Sequence, residues 1–164
     1  MRSLSFPETV KFAAAPLCAL LIPSAALAQD ATPFAQLAGS WHGSGQVRLA
    51  DGSSERLTCR GSYSQRSGGS ELWLAIRCQS ANNKIDMKSG LSYEGGRVSG
   101  HWEERNFGLE GEANGRASAS KISLRISGQI QGAMTVSVSG STHRVSISTG
   151  GPGFKNVSIS FSRG

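Results

Sequence analysis

Residues Leu57 to Cys78 run LTCRGSYSQR-SGGS-ELWLAIRC, and this stretch decides the fold. Two segments of alternating apolar and polar residues flank the pair Gly68-Gly69, a pattern that predicts a β-hairpin. When the chain is folded about these glycines, residues whose numbers sum to 137 face each other, so Cys59 lies opposite Cys78. The stretch therefore predicts a hairpin whose two strands are joined by a disulfide.

The positions of the cysteines also predict the length of the hairpin loop. With a four-residue loop from Ser67 to Ser70, Arg66 and Glu71 form the closing hydrogen-bonded pair. Cys59 and Cys78 then fall on a non-hydrogen-bonded pair, where Cα atoms lie about 4.5 Å apart, within the range that a disulfide accepts. The bridge is expected to face the interior, because its face is shared by Leu57, Gly61, Tyr63, Leu72, Leu74 and Ile76.

The first 28 residues have the three-part layout of a secretory signal peptide. Met1 to Lys11 carries two basic residues, an apolar run follows from Phe12 to Ile22, and Ala26-Leu27-Ala28 offers a small-x-small cleavage site. The apolar run is too short to span a bilayer. Residues 1–28 are therefore predicted to be a cleaved signal peptide, with cleavage after Ala28 and export to the periplasm or the medium.

The remaining 136 residues suffice for one domain with one core. They contain no second apolar run of transmembrane length, so an integral membrane protein is not expected. Because Cys18 leaves with the signal peptide, Cys59 and Cys78 are the two cysteines that remain. Two cysteines in an exported chain are expected to pair.

The chain is basic, with a formal net charge of +6, or about +5 without the signal peptide. Its basic residues are scattered, and no Lys/Arg run stands beside a row of aromatic residues. This distribution argues against nucleic-acid binding. It is compatible with solubility and with weak attraction to anionic surfaces such as lipid headgroups or polysaccharide.

Residues 29–38 are predicted to form an N-terminal segment with one short helical turn, and residues 39–164 a single β domain. Thr32 is a candidate cap, Pro33 suits the first helical position, and Phe34 and Leu37 lie on one face, toward the core. After Gly39, period-two alternation and turn residues repeat to the end. The candidate strands are Ser40–Ala50, Ser54–Arg66, Glu71–Ser80, Lys84–Tyr93, Arg97–Asn106, Leu109–Ala117, Lys121–Ser127, Ala133–Ser139, His143–Thr149 and Lys155–Ser162.

The strands have one apolar face and one small, polar face, as in a sheet with a single wet side. An open sheet of about ten strands would leave edges that pair with other chains. Closure into an antiparallel up-and-down barrel of 8–10 strands removes those edges and is the predicted architecture. A two-sheet sandwich is the alternative, but no connection is long enough to cross between sheets. A membrane barrel would have an apolar exterior, whereas the exterior here is Ser, Thr and Arg.

The segment Leu37-Ala38-Gly39-Ser40-Trp41-His42-Gly43-Ser44-Gly45 resembles the opening of calycin-type barrels: lipocalins, avidins, fatty-acid-binding proteins and nitrobindins. In those families Gly-x-Trp begins the first strand after a short helical turn, and the Trp plugs the closed end of the barrel. The match carries over Gly39 and Trp41. Nitrobindins share Gly43-x-Gly45 as well, but their following segment does not match.

Most of residues 39–163 also resembles a family of small exported proteins of unknown function from Gram-negative bacteria. The resemblance rests on Asp51-Gly52-Ser53-Ser54-Glu55-Arg56, on the two cysteines, on Gly95-Gly96-Arg97-Val98-Ser99-Gly100-x-Trp102-x-Glu104 and on Val157-Ser158-Ile159-Ser160. It implies a periplasmic barrel and no particular activity.

The three histidines do not form an obvious metal site. By alternation His42 and His101 face solvent, whereas His143 shares parity with Val145 and Ile147 and is expected to point inward. A metal site needs two or three converging ligands, so no metal and no cofactor are predicted. The nitrobindin resemblance implies one alternative, a haem ligated by His143.

The segment His101-Trp102-Glu103-Glu104-Arg105 is the densest polar cluster. Glu104 shares parity with Trp102, so it is expected near the barrel rim, with Arg105 or Arg60 as its partner. A buried carboxylate with a raised pKa could act as an acid or base; the simpler interpretation is a rim salt bridge beside a core Trp. Motifs of hydrolases and phosphate-binding loops are absent from the sequence, so no catalytic residues are assigned and an enzyme is not expected.

The predicted function is a non-catalytic periplasmic binding or carrier module for a small apolar or lipid-like ligand. One alternative is a structural or interaction protein of the envelope, whose filled barrel presents its exterior to an envelope partner or a glycan. A haem-binding or hydrolytic barrel comes third. Inward small residues leave room either for a ligand or for the aromatic side chains. The candidate ligand-binding residues of the interior are Trp41, Tyr63, Met87, Trp102, Glu104 and Phe161.

Overall fold

The computed structural model describes residues 32–151 and 153–164, so the predicted signal peptide lies outside the described residues. One short helix, α1 (Phe34–Leu37), precedes ten strands, and a 3-10 turn (Ser67–Gly69) lies between the second and third. The strands are β1 (Gly39–Leu49), β2 (Ser54–Arg66), β3 (Glu71–Gln79), β4 (Lys84–Glu94), β5 (Arg97–Glu104), β6 (Leu109–Ser118), β7 (Lys121–Gly128), β8 (Gly132–Ser139), β9 (Thr142–Thr149) and β10 (Phe154–Arg163). No helix in the described part of the chain is long and apolar enough to cross a membrane.

The ten strands form a closed antiparallel barrel. Each strand pairs with its neighbour in sequence, and β1 pairs with β10 to close the ring. The predicted barrel is confirmed at the upper end of the expected strand number, and the sandwich alternative is wrong. Closure is possible without long crossovers because every connection joins adjacent antiparallel strands.

The hairpin of β2 and β3 has the predicted register. Arg66 pairs with Glu71 as the closing pair, and Cys59 lies directly opposite Cys78. A disulfide joins the two cysteines, whose Cα atoms are 4.1 Å apart. Both cysteines are buried, so the bridge faces the interior as the alternation of the strands predicts.

One end of the barrel is covered by α1, and we call this end the floor. Phe34 and Leu37 are buried against the core as predicted, although Thr32 does not cap the helix and instead donates its hydroxyl to the carbonyl of Gly69. Trp41 is 1% exposed and donates its indole N–H to the Leu37 carbonyl at 2.7 Å. The Trp plug implied by the calycin resemblance is therefore present.

Arg163 stabilises the floor through contacts on its outer side. Its guanidinium lies 4.7 Å from the centroid of the Trp41 ring and donates hydrogen bonds to the carbonyls of Ala38 and Gln36. These bonds satisfy carbonyl groups at the end of α1, which a four-residue helix cannot satisfy internally. The floor is thus closed by an aromatic plug held between a helical turn and the last strand.

The opposite end, which we call the mouth, is bounded by the connections that follow Leu49, Gln79, Glu104, Gly128 and Thr149. Most inward-facing apolar side chains here are half-buried, although Leu57 and Cys78 are fully buried. A few inward side chains near the floor, such as Leu74 and Tyr93, are half-buried as well. A barrel of eight strands is just wide enough for its side chains to fill it, and ten strands enclose more space. The half-buried side chains around the mouth are Val47, Ile85, Met87, Leu109, Ile126, Met134, Ile147 and Val157.

Three inward glycines lie beside aromatic rings rather than beside open space. A Cβ atom at Gly43 would lie 2.5 Å from the Phe161 ring, and one at Gly61 would lie 3.0 Å from the Tyr63 ring. A Cβ atom at Gly111 would clash with the backbone oxygen of Ser127 and would also lie 3.0 Å from the indole of Trp102. Aromatic side chains therefore fill the space beside these three glycines.

Candidate ligand-binding site in the barrel

The six predicted interior residues lie inside the barrel but fall into two separate groups. Trp41, Tyr63 and Phe161 lie together at the floor. The second group lies on β4 and β5 toward the mouth, where Met87 pairs with Glu104 and Trp102 is two residues away on the same strand face. A single small ligand would therefore contact one group or the other.

His143 completes the floor group. Its ring stacks on Phe161 with centroids 4.6 Å apart and meets the Trp41 ring edge-on at 4.5 Å. Its Nε2 atom lies 3.2 Å from the Tyr63 hydroxyl, and the side chain is 3% exposed. His143 thus points inward as predicted, and it fills the floor together with three aromatic side chains.

Burial sets the protonation state of this group. Removal from water, together with the positive charge of Arg163, lowers the pKa of His143 to about 4. Burial also raises the pKa of the Tyr63 hydroxyl well above its usual value. At neutral pH both side chains are therefore uncharged, which suits an apolar core.

The residues around His143 do not fit a haem. Phe161 covers one face of the imidazole, the Trp41 edge abuts it, and Nε2 is hydrogen-bonded to Tyr63. A macrocycle beside this ring would require the aromatic side chains of the floor to leave the core. The haem ligand implied by the nitrobindin resemblance has no space in this arrangement.

Glu104 is buried, but its partners are backbone amides rather than the expected arginines. Its two carboxylate oxygens accept hydrogen bonds from the backbone N–H groups of Asp86 at 2.8 Å and Phe107 at 2.7 Å. These bonds tie the turn after β5 to the start of β4. A carboxylate whose oxygens are held this way acts as a structural anchor of the mouth.

Trp102 is buried in the interior, and its N–H group is unpaired among the described residues. The side chain is 8% exposed and its ring lies over Gly111. Its indole nitrogen has no hydrogen-bond partner among the described residues and is itself enclosed.

The half-buried apolar ring around the mouth is the best candidate for a ligand site, and sequence reasoning named only Met87 from it. Ile126, Met134, Ile147 and Val157 come from β7 to β10, where they alternate with exposed Ser, Thr and Arg. Alternation placed them inside, but their partial exposure depends on the width of the barrel. No signal in the sequence distinguishes these side chains from the fully buried ones.

His42 and His101 are exposed on the outer face, as alternation predicts. Within residues 32–151 and 153–164, no three His, Cys, Asp or Glu side chains come together as a possible metal site. The titratable groups of the interior are therefore those at the floor and Glu104 at the mouth.

Comparison with known protein families finds no match, and no curated protein matches the sequence. The resemblance to an exported Gram-negative family therefore stays a prediction. Solved structures do share the fold. The chain resembles Rv2717c from M. tuberculosis with a TM-score of 0.64 and 13% identity, over 79% of this chain and 93% of that one.

A second similar structure is the S-type phycobiliprotein lyase CPES from Guillardia theta. Its TM-score is 0.55 at 14% identity, over 80% of this chain and 90% of that chain. At such low identity these likenesses concern the fold alone. The chain is an all-β, calycin-like antiparallel barrel of ten strands.

Proposed function

We propose that this protein is a non-catalytic binding module that carries a small apolar or lipid-like ligand in the mouth half of its barrel. The observation that supports the proposal is the ring of inward apolar side chains that remain half-buried there. Inward side chains in a fully packed barrel would be shielded from water. Apolar surface that stays accessible inside a concave site is typical of a ligand pocket.

The chemistry of the lining favours a neutral, apolar ligand. Met87 and Met134 provide flexible thioether side chains that adapt to irregular shapes. Glu104 already accepts two backbone hydrogen bonds, and its carboxylate would repel a bound anion. Fatty-acid-like carboxylates are therefore disfavoured relative to uncharged lipids or hydrocarbons.

We further propose that the protein works in the periplasm after removal of residues 1–28. The Cys59–Cys78 disulfide is compatible with an oxidising compartment. A carrier in that compartment would move apolar molecules that do not dissolve in water.

Titration with Nile red, a neutral apolar dye, tests the proposed site. The matched variants are Met134→Trp, which fills the interior, and Ser137→Trp, which adds the same bulk to the exposed face of β8. We expect dye binding by the wild type and by Ser137→Trp, and a loss of about tenfold or more in Met134→Trp, which is about 1.4 kcal/mol. Equal binding by both variants would contradict the interior site.

Native mass spectrometry tests whether the protein carries a natural ligand. Protein purified from the periplasm should carry an additional apolar mass that organic solvent removes. A consistently bare mass together with no dye binding would favour the alternative, an interaction protein of the envelope with a filled barrel. Two observations support that alternative: the floor is fully packed, and aromatic rings cover inward glycines.

A further inference from the structure

The outer face of β2, β3 and β4 carries an aromatic residue and a set of cations that the interior site does not use. Trp73 on β3 is 39% exposed, whereas Trp41 and Trp102 are buried. Its ring lies over Gly90 of β4, where an added Cβ atom would come within 3.3 Å of the indole. Because Gly90 has no side chain, the indole packs directly against the surface of the sheet.

Polar side chains surround this indole. The guanidinium of Arg66 lies 5.0 Å from the ring centroid, and the indole N–H donates to Glu71 Oε2 at 3.4 Å. His101 of β5 meets the ring edge-on, with centroids 6.1 Å apart. An exposed cation–π contact contributes only about 0.5–1 kcal/mol. A ligand that packs on the Trp73 ring can therefore displace the Arg66 guanidinium at little cost in free energy.

The second feature of this face is a pair of like charges, Arg60 and Arg77, on neighbouring strands. On the outer side Arg60 of β2 lies directly between His42 of β1 and Arg77 of β3. Like charges opposite each other on neighbouring strands destabilise a sheet. Arg77 lies 3.6 Å from Asp86 on its far side, but no carboxylate of the described residues pairs with Arg60.

The two features form one continuous surface. Trp73 and Arg77 are four residues apart on the same face of β3, about 13 Å at the rise of a strand. Between them lies the small side chain of Ala75, flanked by Ser62 and Lys88. An open groove continues past the arginines, with Arg56, Thr58 and Gln79 among its lining residues.

We propose that this face binds an acidic polysaccharide. The negative face of the indole attracts the C–H groups of a sugar ring, and the guanidinium groups of Arg60 and Arg77 match carboxylate or sulfate groups in charge and shape. A linear acidic glycan supplies both partners at once along the strand. The proposal is independent of the ligand inside the barrel, since these side chains point away from it.

Calorimetry with oligogalacturonate at low and moderate salt tests the proposal. The double variant Arg60→Ser/Arg77→Ser should weaken binding about tenfold or more, because it removes charge-assisted hydrogen bonds. The control Arg125→Ser/Arg144→Ser removes the same charge from β7 and β9, across the barrel. It should weaken binding less than about threefold, through the net charge alone.

The role of the indole is tested separately. Trp73→Ala should weaken oligogalacturonate binding several-fold but leave the binding of poly-L-glutamate, an anion without sugar rings, unchanged. Undetectable binding of oligogalacturonate by the wild type would overturn the proposal. Equal losses of affinity in the two double variants would show that binding depends on net charge alone, which contradicts a specific site. Equal affinity of the wild type for poly-L-glutamate and oligogalacturonate would favour an acidic protein segment as the ligand instead.

Discussion

The hydroxyl of Tyr63 and the Nε2 atom of His143 lie 3.2 Å apart at the floor of the barrel, although 80 residues separate them in the chain. This pair joins β2 to β9 across the interior, and it places an imidazole between the rings of Trp41 and Phe161. Because the imidazole is buried and neutral, the closed end of the barrel is sensitive to protons.

We expect the free energy of unfolding to fall as the pH is lowered from about 6.5 toward 4. The unfolded chain binds a proton at the ordinary pKa of 6.5, whereas the folded barrel does so only near its pKa of about 4. The unfolded state therefore binds more protons in this window, which lowers stability by up to about 3 kcal/mol. Urea unfolding at a series of pH values measures the change.

The matched variants for this experiment are His143→Phe and His101→Gln. The first removes the buried imidazole and should flatten the pH dependence in that window, after subtraction of the overall loss at neutral pH. The second removes an exposed imidazole and should leave the dependence as in the wild type. An unchanged slope in His143→Phe would show that other groups cause it.

Removal of the disulfide should destabilise the barrel. The bridge between Cys59 and Cys78 closes a loop with a sequence separation of 19, and loss of such a constraint costs about 3 kcal/mol. Urea unfolding of Cys59→Ala/Cys78→Ala measures the loss, and the wild type in excess reductant should show a similar one. A variant as stable as the oxidised wild type would mean that the hairpin is held by its other contacts.

A methyl group at Gly43 should destabilise the floor. The new Cβ atom in Gly43→Ala would lie 2.5 Å from the Phe161 ring, which is itself stacked on His143. Because the ring has little room to move, we expect a loss of about 1–3 kcal/mol, as for other overpacked cores. Thermal unfolding measures it, with the exposed neighbour Ser44→Ala as a near-neutral control.

Glu104→Gln should loosen the mouth. An amide has one acceptor oxygen instead of two, so the backbone N–H of either Asp86 or Phe107 loses its partner. Loss of one hydrogen bond in this partly buried site costs about 1 kcal/mol. Hydrogen exchange of these two amides should accelerate, whereas Glu103→Gln, an exposed change on the same strand, should leave both unaffected. Unchanged exchange in Glu104→Gln would argue against the anchoring role.

Local features of the fold follow from the sequence because they depend on period-two alternation and turn length. The pairing of Cys59 with Cys78 and the four-residue loop between Arg66 and Glu71 are examples. The position of Trp41 follows from resemblance to other barrels. Each of these is set by residues close in the chain or by a short motif.

Contacts across the barrel could not be predicted in this way. The meeting of Tyr63 and His143 depends on how far the strands are staggered when the ring closes, which alternation does not specify. The partners of Glu104 were missed because they are backbone amides, which every residue type offers. Partial exposure around Met134 depends on the strand number, and the sequence left that between eight and ten.

Pairing of Trp41 with Arg163 brings the first and last strands together beside the helical turn. The chain thus enters and leaves the barrel at its base. A surface anchor fused after Gly164 would hold the molecule base-down, with its opening directed away from the support. Under the carrier proposal, immobilised protein should therefore bind Nile red as readily as protein in free solution.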